Sequence, residues 1–219
     1  MRFRQHLAFL IAAGAVALSG AAGAAEQDLS VNARLLLAAR NGDAAQLERS
    51  LRSGAAANAR NRLGETALLI ALKKDDLAMA KTMLDAGTDV NLAALNGVTP
   101  LMAAAYGGQT EMATLLLAKG ARIDALDRLQ KNAMTYAAGE GHTDIVLMLI
   151  AKGVDPNAVY QNDLTALMWA AGFGRAGTVK ALLDAGARAE FKDNRGKTAL
   201  DMARDGGYAQ TVALLERSI

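Results

Sequence analysis

One spacing governs this chain. Stepping by 33 residues from Leu35 lands on Leu68, Leu101, Met134, Leu167 and Leu200. The same step from Thr66 gives Thr99, Asn132, Thr165 and Thr198, and from Gly54 it gives Gly87, Gly120, Gly153 and Gly186. A fourth series runs Gly42, Gly108, Gly141, Gly174 and Gly207, interrupted only by Asp75. No insertion or deletion breaks the phase. A chain with this self-similarity is a stack of small units, each burying its apolar face only against its neighbours.

The series have separate physical reasons. Thr or Asn at the start of a helix accepts a backbone N–H bond as an N-cap. Pro100 follows one such cap, at the first helical position where a missing N–H costs nothing. The Gly42 series falls where a first short helix reverses into a second. The Gly54 series falls at the end of the second helix, where a left-handed residue is needed. The Leu35 series and the pairs Leu116-Leu117, Leu149-Ile150 and Leu182-Leu183 are expected to face the stack interior. Ala38, Ala71, Ala104, Ala137, Ala170 and Ala203 would let helices approach closely. Met102, Met134, Met148 and Met168 are read as core filling.

Thr99-Pro100-Leu101-Met102-Ala103-Ala104-Ala105 resembles the ankyrin signature Thr-Pro-Leu-His-x-Ala-Ala, and Gly141-His142 its Gly-His. Lys119-Gly120-Ala121-Arg122-Ile123-Asp124 is similar to its Gly-Ala-Asp-Val-Asn ending. The resemblance runs from residue 29 to about 217 and implies an all-α solenoid of six helix-turn-helix repeats with β-hairpin loops. The repeats fall at approximately 28–60, 61–93, 94–126, 127–159, 160–192 and 193–219 within a domain 26–219. The chain departs from the pattern where the signature His becomes Leu69, Met102, Thr135, Met168 and Asp201, so its polar tie is expected to be absent or altered. Repeat 1 has Ala33 at the cap position and reads as a degenerate cap. In the last repeat Arg204 replaces the Ala or Leu of Ala39, Leu72, Ala105, Ala138 and Ala171, and the apolar pair becomes Leu215-Glu216. A polar outer face of this kind is what a terminal repeat requires, and the stack is expected to end there.

The N-terminus reads differently. Arg2 and Arg4 precede an apolar run from Leu7 to Leu18, followed by small residues from Ser19 to Ala25. Basic start, short apolar core and small-residue end make residues 1–25 a signal peptide, with cleavage expected after Ala24 or Ala25. The run is shorter than the ~20 residues a bilayer-spanning helix needs. Without a paired arginine, general secretion is expected. Of 24 basic and 22 acidic residues, the signal takes two basic ones, leaving 22 of each. A neutral domain has no electrostatic footprint for nucleic acid, and none for an anionic membrane after cleavage. There is no cysteine, hence no disulfide or thiolate chemistry.

Chemical motifs are absorbed by the repeat. Gly172-Phe173-Gly174-Arg175-Ala176-Gly177 spells a dinucleotide fingerprint but sits at an inter-helix turn, not after a strand. Gly196-Lys197-Thr198 imitates the end of a phosphate loop, with Phe191 where its first glycine belongs. His142 is the mature chain's one histidine and reads as a helix-start residue, not a base. Asp75-Asp76 reads as a solvated turn, and Asp124 and Asp127 flank a hairpin without calcium-loop spacing. No catalytic, cofactor or metal site is expected.

The ankyrin resemblance implies that partners contact hairpin tips and the exposed face of the first helices. Mapped residue by residue, the tips are Arg62, Leu63 and Glu65; Leu95, Asn96 and Val98; Arg128, Leu129 and Lys131; Gln161, Asn162 and Leu164. The helix face adds Lys73, Lys74, Tyr106, Glu140 and Phe173, with Tyr136 and Trp169 either bordering it or packing between repeats. Four of the mature chain's seven aromatics thus fall on the first helices of repeats 3 to 5, and interface hot spots favour such residues. The function expected is a monomeric, non-catalytic module that binds an unidentified protein and regulates or protects it, in the periplasm of a Gram-negative source. The alternative is a secreted effector that binds host proteins.

Overall fold

The computed structural model describes residues 29–218. The expected signal peptide lies outside the described residues. Among the described residues twelve α-helices follow one another in six pairs. They are α1 (Val31–Asn41) and α2 (Ala44–Arg52), α3 (Ala67–Lys73) and α4 (Leu77–Asp85), α5 (Pro100–Tyr106) and α6 (Thr110–Ala118). Then come α7 (Ala133–Glu140) and α8 (Thr143–Ala151), α9 (Ala166–Gly172) and α10 (Ala176–Asp184), α11 (Ala199–Asp205) and α12 (Ala209–Glu216).

Caps set the starts of the first helices. The side chains of Thr66, Thr99, Asn132, Thr165 and Thr198 each accept the N–H of the residue three positions on. The altered signature position is partly re-used for this. The Thr135 hydroxyl and the Asp201 carboxylate accept the N–H of Asn132 and Thr198 in return, each at 3.0 Å, completing reciprocal caps. Repeat 1 differs from expectation, because α1 begins at Val31 and Ala33 lies inside it. The Asn32 side chain instead accepts the Ala56 N–H at 2.8 Å, holding the next loop.

The core follows the period. Leu35, Leu68, Leu101, Met134 and Leu167 and the alanine series from Ala38 to Ala203 are buried almost completely. The paired apolar sites behave unequally: Leu116, Leu149 and Leu182 are fully buried, whereas Leu117, Ile150 and Leu183 are half-buried. Met148 is also half-buried, with its sulfur against the Thr114 hydroxyl. Asp75 takes the left-handed conformation of its glycine series at φ 59°. Asp tolerates it better than most residues because its short polar side chain bonds locally. Here that carboxylate accepts from the Gln109 amide at 2.8 Å. Its neighbour Asp76 caps α4 through the Met79 N–H, so the pair is more than a solvated turn.

The loops between repeats are tight turns. In each, one N–H donates to a carbonyl four residues on, as Asn61 to Glu65 and Asp127 to Lys131. One such bond gives no ladder, so the expected β-hairpins carry no strand among the described residues, only an isolated bridge between Val159 and Thr165. In three loops a carboxylate or amide templates the turn. Asn61, Asp127 and Asp193 each accept two backbone N–H bonds from within their own loop.

Neighbouring repeats are tied at both ends of the helices. At the turn end, one repeat position carries Gln109, His142 and Arg175 in succession. Each bonds a carbonyl at the end of the preceding first helix: Leu72, Tyr106 and Gly139 at 2.8, 2.9 and 2.9 Å. At the loop end, Leu95 donates to Leu63, Arg128 to Asn96 and Asn194 to Asn162. Asn58, Asn91 and Asn157 add side-chain ties by accepting the N–H of Asp89, Arg122 and Arg188.

Candidate protein-binding face

The first helices of repeats 3 to 5 present their outer sides, next to the loop tips, as a row of aromatic rings. Tyr106, at the end of α5, is 42 % exposed, and Phe173, at the end of α9, is 44 % exposed. Tyr136 on α7 and Trp169 on α9 are half-buried and pack against the core. The two readings open for Tyr136 and Trp169 therefore merge, since each ring has one side in the stack and one at the surface.

The rings touch in pairs. Tyr106 meets Tyr136 edge-on, centroids 5.9 Å apart at 87°. Trp169 and Phe173 lie parallel at 6.0 Å, with 6° between their planes. Both geometries suit the aromatic quadrupole. Lys131 joins the pairs, its ammonium 4.5 Å from the Trp169 ring centroid and 5.6 Å from that of Tyr136. Tyr136 is anchored from below, its hydroxyl donating to Asp127 at 2.6 Å. Burial, and then the bond to the Asp127 carboxylate, hold the Tyr136 phenol well above its ordinary range.

The position of Lys131 has a local cause. At the same loop position, Glu65 pairs with Lys73 at 2.7 Å and Lys197 pairs with Asp205, the partner in each case eight residues on. Eight residues beyond Lys131 stands Gly139, which offers no acid. The rings also rest over this glycine: a Cβ there would lie 3.7 Å from both Trp169 and Phe173, in ordinary contact. The lysine therefore turns over the aromatic faces. Sequence reasoning placed Lys131 at a tip without this role, although the charge comparison across repeats was legible.

Not every expected site residue joins the row. Lys73 is held by Glu65, and Lys74 donates to the Arg40 carbonyl at 2.7 Å, at the turn end of the helices. Leu95 and Leu129 are 56 % and 61 % exposed at loop tips, as is Leu63 at 63 %. Glu140 pairs with Arg175 at 3.6 Å beneath Phe173. Leu129 lines a cavity with Trp169 and Lys131. The fingerprint-like glycines lie at the α9–α10 turn, with Gly174 at φ 66°, and Thr198 is the cap of α11. Among the described residues no group of three or more His, Asp or Glu is placed to hold a metal ion, and no helix is long and apolar enough to cross a membrane.

Paired short helices and glycine-marked turns repeated at one spacing define a helical-repeat solenoid. The comparisons identify which one. The family model for ankyrin repeats (3 copies) matches residues 35–127, 75–160 and 134–218, so the chain belongs to the ankyrin-repeat family. The crystal structure of EF0377, an ankyrin-repeat protein, is similar at 31 % identity with a TM-score of 0.74, covering 85 % of this chain and 98 % of that one. No match is found among curated proteins. Ankyrin repeats are in general protein–protein interaction modules, and the fold is typically a non-catalytic scaffold.

Proposed function

We propose that this chain is exported to the periplasm, where it binds one partner protein through the aromatic row and regulates or protects it. The observation that carries the reading is the row itself. Tyr106, Tyr136, Trp169 and Phe173 form two ring pairs bridged by Lys131, and Tyr106 and Phe173 hold much of their ring area at the surface, more than the stack requires of them. Aromatic side chains offer large contact area at little entropic cost, which is why they dominate interface energetics. Export rests on the three-part N-terminus, and a module without cysteine needs no disulfide chemistry in an oxidising compartment.

The test is affinity capture from the envelope fraction of the native host, followed by binding measurements on variants. Tyr106→Ala and Phe173→Ala should each change folding stability by about 0.5 kcal/mol or less. Each should weaken the captured partner's binding by about 1 kcal/mol or more. Normal binding by both variants would remove the aromatic row as the site. Intact mass of the native protein should show loss of residues 1–24 or 1–25, and recovery from the culture medium instead of the periplasm would favour the secreted-effector reading.

A further inference from the structure

Two recurring ties between neighbouring loops are interrupted at one place. Between the loops of residues 54–66 and 87–99 they are Asn58 to the Asp89 N–H and the Leu95 N–H to Leu63. Between 87–99 and 120–132 they recur through Asn91 and Arg128, and between 153–165 and 186–198 through Asn157 and Asn194. Between 120–132 and 153–165 both equivalent bonds are missing. Asp124 stands where the other loops have asparagine and would bring its carboxylate towards Asp155. The Gln161 N–H and the Leu129 carbonyl, which would bond each other by the same register, make no hydrogen bond within the described residues.

The loop of residues 153–165 differs in conformation. The position held by Asn61, Asp127 and Asp193 elsewhere carries Tyr160, whose ring packs against the core. The loop winds into a short 3-10 turn over Gln161–Asp163, with Asn162 and Asp163 at φ 61° and 60°, so that two consecutive residues are left-handed where the turn of each other loop has one. The helices below stay packed, with Ala137, Ala138, Ala170 and Ala171 fully buried. Where the ties are missing, a notch opens between the loop tips and the starts of the first helices, bordered by Trp169.

The notch is a cavity of about 230 Å³ lined by Leu129, Leu164, Trp169, Thr135 and Lys131 among others. That is below the ~300–1,000 Å³ of small-molecule sites, and it suits a single side chain. Among the described residues Lys131 is the one charged side chain in its lining, and no carboxylate lies within ion-pair distance of it. Next to it Arg128 is exposed and has no acid partner among the described residues, while Asp127 is buried and already engaged by Tyr136 and two backbone N–H groups. Asp163 is exposed in the loop of residues 153–165 but does not line the cavity.

We infer that this notch is the specificity pocket of the binding face, and that it takes a partner segment in which an apolar side chain stands next to an aspartate or glutamate. The apolar side chain fills the space between Leu129, Leu164 and Trp169. The neighbouring carboxylate pairs with Lys131, drawing it off the rings. The segment's backbone takes the free Gln161 N–H and Leu129 carbonyl, as an adjacent loop would. This assignment rests on the aromatic row being the binding face.

Trp169 is the chain's single tryptophan, so its fluorescence reports on the notch without labelling. The probe is a phage-displayed random dodecapeptide library selected on the signal-free protein, with selected tryptophan-free peptides then titrated in solution. The expected result is enrichment of an apolar residue beside Asp or Glu and a saturable change in Trp169 emission. Lys131→Glu should raise Kd at least about tenfold, while Lys131→Arg should stay within about threefold, the signature of a charge contact. Circular dichroism establishes that both variants are folded. Selected peptides without acidic residues, or equal binding by Lys131→Glu, would overturn the inference. If affinity then falls only for Tyr106→Ala and Phe173→Ala, the binding face stands and the notch does not. If no peptide is selected, both fail.

Discussion

At the residue scale, the buried Asp127 carries more than its place in a turn suggests. One carboxylate oxygen orders its loop through the Leu129 and Lys131 N–H groups, and the other receives the Tyr136 hydroxyl. A single acid thus links loop conformation to ring placement. Burial and this bond favour the neutral phenol, so the folded Tyr136 titrates above the ~10 of an unfolded tyrosine. The stabilisation is present in full below pH ~10 and is lost as pH rises above that value, because only the unfolded chain then gains by ionising. Tyr136→Phe should cost about 1 kcal/mol at pH 8. Urea midpoints compared at pH 8 and 10.5 should show the wild type losing its advantage over the variant. An advantage that holds or grows with pH would show that the hydroxyl bond does not govern the shift.

At the element scale, the loops are alike in length and unlike in strain. The fourth residue of each turn is left-handed, and Gly64, Gly97 and Gly196 take that conformation without steric cost. Gln130 takes it at φ 55° in the loop of residues 120–132 with a full side chain. A left-handed residue other than glycine costs roughly 1–2 kcal/mol, offset in part by the larger unfolded-state entropy of glycine. Gln130→Gly should therefore stabilise the protein by about 0.5–1 kcal/mol. Chemical denaturation checks this, and a destabilised variant would mean that Gln130 contributes a contact worth more than its strain. The strained residue is also one of those that line the notch.

At the scale of the whole molecule, stability is a sum along the stack. Each layer is closed by the next, as Leu182 of α10 is closed by α12, and the outer side of the last pair carries an Arg204–Glu216 ion pair at 2.6 Å. Deleting residues 193–219 should expose the Leu182-Leu183 layer, lowering the melting temperature and inducing self-association. Light scattering beside thermal melting decides it. A monomer that melts as before would show that repeat 5 can end the stack unaided.

The 33-residue period by itself determined the fold, because capping, turn reversal and close helix approach each demand one residue type at one phase. Thr66, Gly54 and Ala38 answer those demands locally, so their series could be read without coordinates. It also located the aromatic row, since Tyr106, Tyr136, Trp169 and Phe173 depart from what the repeat needs. The start of α1 departs from the period because the degenerate first repeat lacks the Thr cap and begins its helix three residues early. What only the tertiary structure decided are relations between neighbouring repeats. Whether the loop at Leu129 bonds the loop at Gln161 depends on the turn in which Asn162 and Asp163 are both left-handed, and no periodicity encodes it. Where Lys131 points depends on a missing acid at Gly139 and on two rings contributed by different repeats. Periodicity reports what every repeat shares; a site is built where adjacent repeats differ.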